Sequence, residues 1–295
     1  MPERQGLIPL RDRVKELEKI YGMAGKDIAN ELSLFDIGDY RELKAMKTEQ
    51  EIDRILKKLN RSVIKWAESA IPEAYKKGYD VSRTRLEILG AERNEEFSPI
   101  THRNAMGDWT DKAIDGLLRA NMSIKPNVVI YLYLVRQASN SMMQIQEFSF
   151  EDEEVLMGIL DDAIRGGASR GKLEQLIRIH LKRDLYERKF IKINGRNYNM
   201  IKYASMVART EMRFVQSQAV KNTCQQFDND LVEISSHGTD CRSNICQQYE
   251  GNVYSLSGSH PTYPALPDSP PWHRNCEHSM APTSDIALEW RERFA

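Results

Sequence analysis

Two short stretches near the C-terminus contain the cysteines and histidines from which the fold and the site of this chain are predicted. Residues 240–246 read DCRSNIC, and residues 270–278 read PPWHRNCEH. Three of the four cysteines and four of the six histidines lie between His237 and His278. Thiolate and imidazole ligands in a tetrahedral shell suit Zn²⁺ best. The two stretches therefore predict a metal clasp, with zinc as the expected structural ion.

The spacing divides the predicted ligands between two turns. The first cysteine pair can bind one ion from a single turn, and an H-x-x-C turn, presented by the rigid Pro270-Pro271 pair, can face it. His278 is either a fourth ligand or a partner of the ligands. The predicted ligands are Cys241, Cys246, His273, Cys276 and His278, with His237 in reserve. Cys224, which lies in a helical pattern, is predicted to be an ordinary buried cysteine, and His260 a solvated histidine.

Composition places few limits on function. The chain has 295 residues, 29% of them charged, and a net charge of −1, which gives no global argument for a nucleic-acid or membrane partner. No apolar stretch approaches the roughly 20 residues that span a bilayer. Four cysteines are too few for a disulfide scaffold. Because the N-terminus, MPERQ, lacks the apolar core of a secretory signal, we expect a reducing compartment.

The first two-thirds of the chain reads as helix. Apolar residues between Thr48 and Leu89 recur at helical spacing, Thr48 and Glu51 resemble a capping box, and Pro72 predicts a kink or a restart. Shorter helices are predicted over residues 10–32, with Gly22 and Gly25 as breaks, and over 102–121. Further helices are predicted between Pro126 and residue 185.

The pattern changes near residue 189. Residues 190–198 alternate around Asn194-Gly195, which predicts a β-hairpin. A helix over 200–227 and short strands at 231–235 and 253–256 follow. The predicted fold is α+β and mostly α: helical regions at 1–92 and 93–185, then a small α+β unit at 186–295 closed by the zinc clasp.

Three blocks in this C-terminal unit carry a resemblance. Residues 195–211 read GRNYNMIKYASMVARTE, residues 232–258 begin VEISSHGTD and end CQQYEGNVYSLSG, and the third block is 270–278. In this order they resemble the head-morphogenesis (Mu F-like) and minor capsid protein 2 families of tailed bacteriophages. The sequence departs from those families at Cys241, which lies five residues before Cys246 instead of three, and at His278, which replaces a final cysteine.

The resemblance implies a structural role and not an enzyme. The expected function is that of a minor capsid, or head-morphogenesis, protein located in the capsid interior or at the portal vertex, and in the host cytoplasm during assembly. The implied partners are the phage portal protein, the major capsid protein or both, with packaged dsDNA as a further partner and no membrane. The basic run between Arg165 and Lys189 offers a face for DNA or portal, although a solvated helical face explains it equally well.

Two other functions remain open. A zinc-dependent enzyme acting on nucleic acid, such as a nuclease or a deaminase-like toxin, needs an open zinc position and a base. The deaminase, HExxH and Walker patterns are absent, and only about a dozen residues follow Pro282. A zinc-ribbon DNA-binding module is less favoured because basic and acidic residues are mixed.

Three further charged residues complete the predicted sites. Arg209 and Glu211, in the first block of the resemblance, are interpreted as a buried structural ion pair that fixes their helix to the small sheet. Glu250, beside the cysteines, is interpreted as a surface charge, with a general base as the alternative. No catalytic residue and no organic cofactor is predicted.

Overall fold

The structure is a computed structural model, mostly helical, with a small three-stranded antiparallel sheet, which confirms the predicted mixture of helix and strand. It describes residues 11–33, 42–125, 191–193, 196–236, 244–274, 276 and 278–294. The described elements are α1 (Arg11–Ser33), α2 (Glu42–Ile88), α3 (Ile100–Met122), β1 (Ile191–Ile193), β2 (Arg196–Tyr198), α4 (Met200–Gln226), β3 (Leu231–Ile234), α5 (Asn244–Gln247), β4 (Val253–Ser255), β5 (Met280–Pro282) and α6 (Asp285–Phe294). The helices predicted after Pro126 and the basic run lie outside the described residues.

The chain divides into two compact units. Unit 1 comprises Met1–Leu17, Ile64–Gly116 and Ala204–Ala295, and unit 2 comprises Glu18–Val63 and Leu117–Tyr203. Each unit gathers stretches that are distant in the sequence. Hydrophobic periodicity is a local signal and cannot show such grouping, so the three consecutive regions predicted above stay a prediction.

Helix α2 has 47 residues and follows the apolar periodicity of the sequence. The predicted inward positions Ile52, Leu59 and Val63 are at most 2% exposed. The helix begins at Glu42, so the predicted capping box at Thr48 is wrong: Thr48 lies inside the helix and is buried. Pro72 also lies inside α2 and does not end it.

The two glycines of α1 do not break it, contrary to the prediction. The helix is continuous over 23 residues. A Cβ atom built on Gly22 would lie 3.4 Å from Cδ1 of Ile201, at the start of α4 within unit 2. A glycine inside a helix costs about 1 kcal/mol relative to alanine, which a helix buried along one face tolerates.

The hairpin and the helix after it follow the prediction. Strands β1 and β2 pair antiparallel, with Ile193 opposite Arg196, as the predicted hairpin requires. Asn194 and Gly195 themselves lie outside the described residues. Helix α4 then begins at Met200, and the side chain of Asn199 accepts hydrogen bonds from the amides of Ile201 and Lys202. Asn199 therefore caps α4.

Unit 1 contains the small sheet, whose strand order is β4-β3-β5. The central strand β3 pairs antiparallel with both neighbours: Val232 lies opposite Tyr254 and opposite Pro282. Val232, Tyr254 and Met280 form a buried cluster with Val220 and Cys224 of α4. Burial raises the pKa of the Cys224 thiol to about 12, which agrees with the predicted structural cysteine. Strands β3 and β4 were predicted, and β5 was not.

Helices α2 and α4 approach closely within unit 1. A Cβ atom on Gly78 would lie 3.1 Å from Cβ of Ala219 and 3.1 Å from the carbonyl oxygen of Gln216. Nearby, Asn222 Nδ2 donates to the Tyr75 hydroxyl at 2.8 Å, and that hydroxyl lies 2.7 Å from Nδ1 of His102. These contacts join α2, α3 and α4 through both apolar and polar side chains.

Candidate metal centre

Cys246 is held at the end of a single helical turn. It lies in the four-residue helix α5 and is fully buried. The turn continues after it, since the amide of Tyr249 donates to the carbonyl of Cys246 at 3.0 Å. The amide of Gly251 then donates to the carbonyl of Ile234 at 3.1 Å, which ties this turn to the end of β3.

The predicted second turn is present. The amide of Cys276 donates to the carbonyl of His273 at 3.1 Å, which closes the H-x-x-C turn. Pro270 and Pro271, joined by a cis peptide bond, are both buried before it. The ring of Trp272 stacks on Tyr249, with centroids 4.4 Å apart and planes 18° apart. The two turns therefore touch through an aromatic pair beside the cysteines.

The two turns bring three potential ligands together. One donor atom from each of Cys246, His273 and Cys276 lies within 4.8 Å of the other two, and we call these three residues the Cys/His cluster. Nε2 of His273 is 3.3 Å from Sγ of Cys246. Nδ1 of His273 donates to the carbonyl of Arg274 at 2.8 Å, which fixes the tautomer whose Nε2 lone pair faces the cluster.

His278 lies beside the cluster. Its side chain is fully buried, and its Nδ1 is 3.5 Å from Sγ of Cys276. Its Nε2 donates to Oε1 of Glu250 at 2.6 Å. The Glu250 side chain is only 14% exposed. The interpretation of Glu250 as a surface charge is therefore wrong, because its carboxylate is the hydrogen-bond partner of a buried histidine.

The remaining histidine and cysteine predictions have separate outcomes. His237 and Cys241 lie outside the described residues, so their ligand roles stay predictions. His260 is not solvated as predicted: its side chain is 15% exposed, and Nε2 lies 3.2 Å from Oδ2 of Asp285. Its Nδ1 accepts hydrogen bonds from the amides of Thr262 and Tyr263. Both ring nitrogens of His260 are engaged in local contacts.

The structure does not bring Arg209 and Glu211 together. Residues two apart on a helix point to different faces, and Arg209 is exposed whereas Glu211 is partly buried. Burial raises the pKa of the Glu211 carboxyl. Within the described part of the chain, therefore, the two do not form the predicted ion pair. An ion pair between a different helix and the sheet joins Arg85 of α2 to Glu233 of β3 at 3.6 Å.

The donor set of the cluster fits zinc. Two thiols and an imidazole from two short turns match the ligand types of structural zinc sites, and the soft sulfurs disfavour magnesium or calcium. Cys246 and Cys276 are not joined by a disulfide bond, and both are buried. When bound, such an ion links segments that have little apolar surface to hold them together.

Sequence reasoning missed the contribution of Glu250 and the stack of Tyr249 on Trp272. Glu250 is four residues after Cys246, and a lone carboxylate in a polar stretch gives no periodic signal. The histidine that it contacts is 28 positions further along the chain. Only the folding of the two turns against each other creates that contact.

Comparison with known proteins supports the resemblance. Residues 182–282 match the family model described as Phage minor capsid protein 2. The match spans about a third of the chain and contains the hairpin, α4, the sheet, the Cys/His cluster and His278. No curated protein and no solved structure matches the chain. The family match supports a phage minor capsid protein with a structural role in the head.

The comparison also bears on the class and location of the protein. A minor capsid family points to a structural protein in the virion. Among the helices of the described residues, none has the length and apolarity that crossing a bilayer requires.

Proposed function

We propose that the chain is a minor head protein that associates with the portal, the inner capsid surface or both while a tailed phage assembles its virion. The observation that carries the proposal is the family match over residues 182–282, which coincides with the hairpin, α4, the sheet and the Cys/His cluster. A head protein would meet the portal protein and the major capsid protein in the host cytoplasm and then stay inside the capsid.

A structural zinc in the Cys/His cluster is the second part of the proposal. Cys246, His273 and Cys276 would hold the ion, and the fourth ligand would come from His278 or Cys241. Zinc would stabilise the turns that carry these residues, because binding energy at such a site is folding energy. No reaction at the metal is part of this proposal.

Packaged dsDNA is the third proposed partner. Between Arg165 and Lys189, eight lysines and arginines lie among acidic residues and could contact phosphate groups. Phosphate contacts would make that association weaken steeply as salt rises. The portal and DNA contacts can therefore be separated by their salt dependence.

Co-sedimentation of the full chain with assembled heads, and with purified portal rings of the same genome, tests the proposal. The expected result is stable association at low copy number, retained at a salt concentration that removes free DNA binding. A matched sample of heads treated with DNase separates association with protein from association with DNA. A chain that stays in the supernatant with both heads and portal rings would contradict the head role and favour the zinc-dependent enzyme alternative.

A further inference from the structure

Glu250 reaches the Cys/His cluster through a buried histidine. Oε1 of Glu250 accepts a hydrogen bond from Nε2 of His278 at 2.6 Å, and Nδ1 of His278 lies 3.5 Å from Sγ of Cys276. His278 is 0% exposed, and the Trp272 ring lies beside it with centroids 5.8 Å apart. The imidazole is thus confined between a carboxylate on one side and a sulfur on the other.

The hydrogen bond selects one tautomer of His278. When Nε2 donates to a carboxylate, Nδ1 carries the lone pair. Histidines that bind metals usually donate their second nitrogen to a carboxylate or a carbonyl, which fixes the ring. The cluster residue His273 shows the same arrangement, with Nδ1 bonded to the carbonyl of Arg274 and Nε2 facing Cys246.

The sulfur-to-nitrogen distances match one tetrahedral site. With zinc–sulfur and zinc–nitrogen bonds of ordinary length, two ligands of a tetrahedral ion lie about 3.5 Å apart. Cys246 and His273 are separated by 3.3 Å, and Cys276 and His278 by 3.5 Å. His278 is not among the three mutually close donors, so ligation through its Nδ1 requires the ring to move closer to Cys246 and His273.

We infer that Glu250 is a positioning residue of this centre, which holds His278 so that Nδ1 supplies the fourth metal ligand. The inference rests on the zinc site proposed above and decides between the two roles that the sequence left open for His278, a fourth ligand or a partner of the ligands. The resulting shell has two thiolates and two imidazoles and no open position. A closed shell is typical of structural zinc, whereas catalytic zinc keeps one position for water.

Zinc affinity of the full chain tests the role of Glu250. The probe is zinc alone, in competition with a chromogenic chelator, and the variants are Glu250→Ala and Glu250→Gln. We expect Glu250→Ala to weaken zinc affinity about 10- to 100-fold, as loss of such carboxylate partners does. Glu250→Gln should lose less, because its amide oxygen can still accept from Nε2. The matched control is Glu289→Ala, an exposed glutamate of α6, which should keep the wild-type affinity.

A second readout tests the ligand itself and needs no variant. In the ¹⁵N-labelled wild-type chain loaded with ¹¹³Cd²⁺, scalar coupling to the metal marks each ligating nitrogen. We expect coupling to Nε2 of His273 and to Nδ1 of His278. Coupling to His273 without coupling to His278 overturns the inference, even where Glu250→Ala fails to fold.

The outcomes separate this inference from the function on which it rests. Tight zinc binding by the wild-type chain, unchanged in Glu250→Ala, overturns the role of Glu250 and leaves the zinc site intact. A wild-type chain that binds neither zinc nor cadmium overturns the site, and the inference with it. Neither result depends on association with heads, which the co-sedimentation experiment measures separately.

Discussion

Two parts of unit 1 are held together by different physical means. The helical part, from α2 and α4, buries large apolar side chains such as Trp66, Tyr75 and Met212, each at most 2% exposed. In the loop between Leu256 and Ser279, the buried residues that the structure describes are Pro270, Pro271, Cys276 and His278. Leu266 and Trp272 of this loop are only partly buried against the core, so apolar burial offsets less of the entropy of ordering the backbone here than in the helical part. We therefore expect side-chain chemistry at the Cys/His cluster to add to the packing that holds this loop.

The largest effect is expected at the cluster itself. Cys276→Ser removes a thiolate ligand, so the chain should lose its zinc and be destabilised by about 4 kcal/mol or more, a size typical of losing a structural metal. Protection from amide hydrogen exchange should fall more in β3, β4 and β5 than in the buried turns of α2. Amide hydrogen exchange, followed by mass spectrometry, measures this distribution.

The control for that variant is metal removal. A strong chelator should destabilise the wild-type chain and leave Cys276→Ser unchanged, because the variant has no zinc to lose. Equal sensitivity of both proteins to the chelator would show that the metal, if present, is bound elsewhere.

Truncation of a side chain in the helical core should lower stability without loss of zinc. Met212, on α4, is 1% exposed, so Met212→Ala should cost about 2–5 kcal/mol through lost burial and a cavity. Chemical denaturation measures the cost, and metal analysis should still find one zinc per chain. Met122→Ala, at a methionine that is 67% exposed, should change stability by less than about 0.5 kcal/mol. Loss of zinc in Met212→Ala would show that the helical core and the loop with the Cys/His cluster are not stabilised independently.

The close approach of α2 and α4 predicts a smaller effect. Gly78→Ala places a Cβ atom 3.1 Å from a backbone oxygen and should destabilise the chain by about 1–2 kcal/mol through overpacking. Gly107→Ala is the matched control, because a Cβ atom there meets nothing within 4 Å. That substitution should stabilise α3 by up to about 1 kcal/mol through helix propensity. Thermal unfolding measures the change in stability of both variants. A change of the same sign in both would contradict the close packing of α2 against α4 at Gly78.

The smallest effect concerns pH. Burial, with a contribution from Arg93, lowers the pKa of His102 from its ordinary value of 6.5. As pH falls, the unfolded chain therefore takes up a proton at His102 before the folded chain does. The contribution of neutral His102 to the free energy of unfolding is complete above pH 6.5 and is lost as pH falls toward the lowered pKa of the folded chain. His102→Gln removes this titration, so its stability should depend less on pH below 6.5 than that of the wild-type chain. Denaturation at a series of pH values gives the slope of the free energy of unfolding against pH for both proteins. Identical slopes would contradict a lowered pKa at His102.

Prediction from sequence worked best where a local pattern was strong. The apolar period of α2, the antiparallel pairing of β1 with β2 and the H-x-x-C turn were all predicted correctly, because each depends on neighbouring residues. Strand β5 was missed since Met280–Pro282 is three residues long, ends in proline and shows no alternation. The pairing of Glu250 with His278 was missed because it depends on how two distant turns meet. The predicted Arg209–Glu211 pair was wrong for a reason that helix geometry already contains, because residues two apart on a helix point to different faces.

The metal content of the freshly reduced wild-type chain shows whether the Cys/His cluster binds an ion. Native mass spectrometry of the full chain, purified without chelators, counts the ions bound to each molecule. The account predicts one zinc per chain, released by a strong chelator together with loss of hydrogen-exchange protection in β3, β4 and β5. A chain that carries no zinc, yet keeps that protection, would contradict the claim that the Cys/His cluster holds this region by binding a metal.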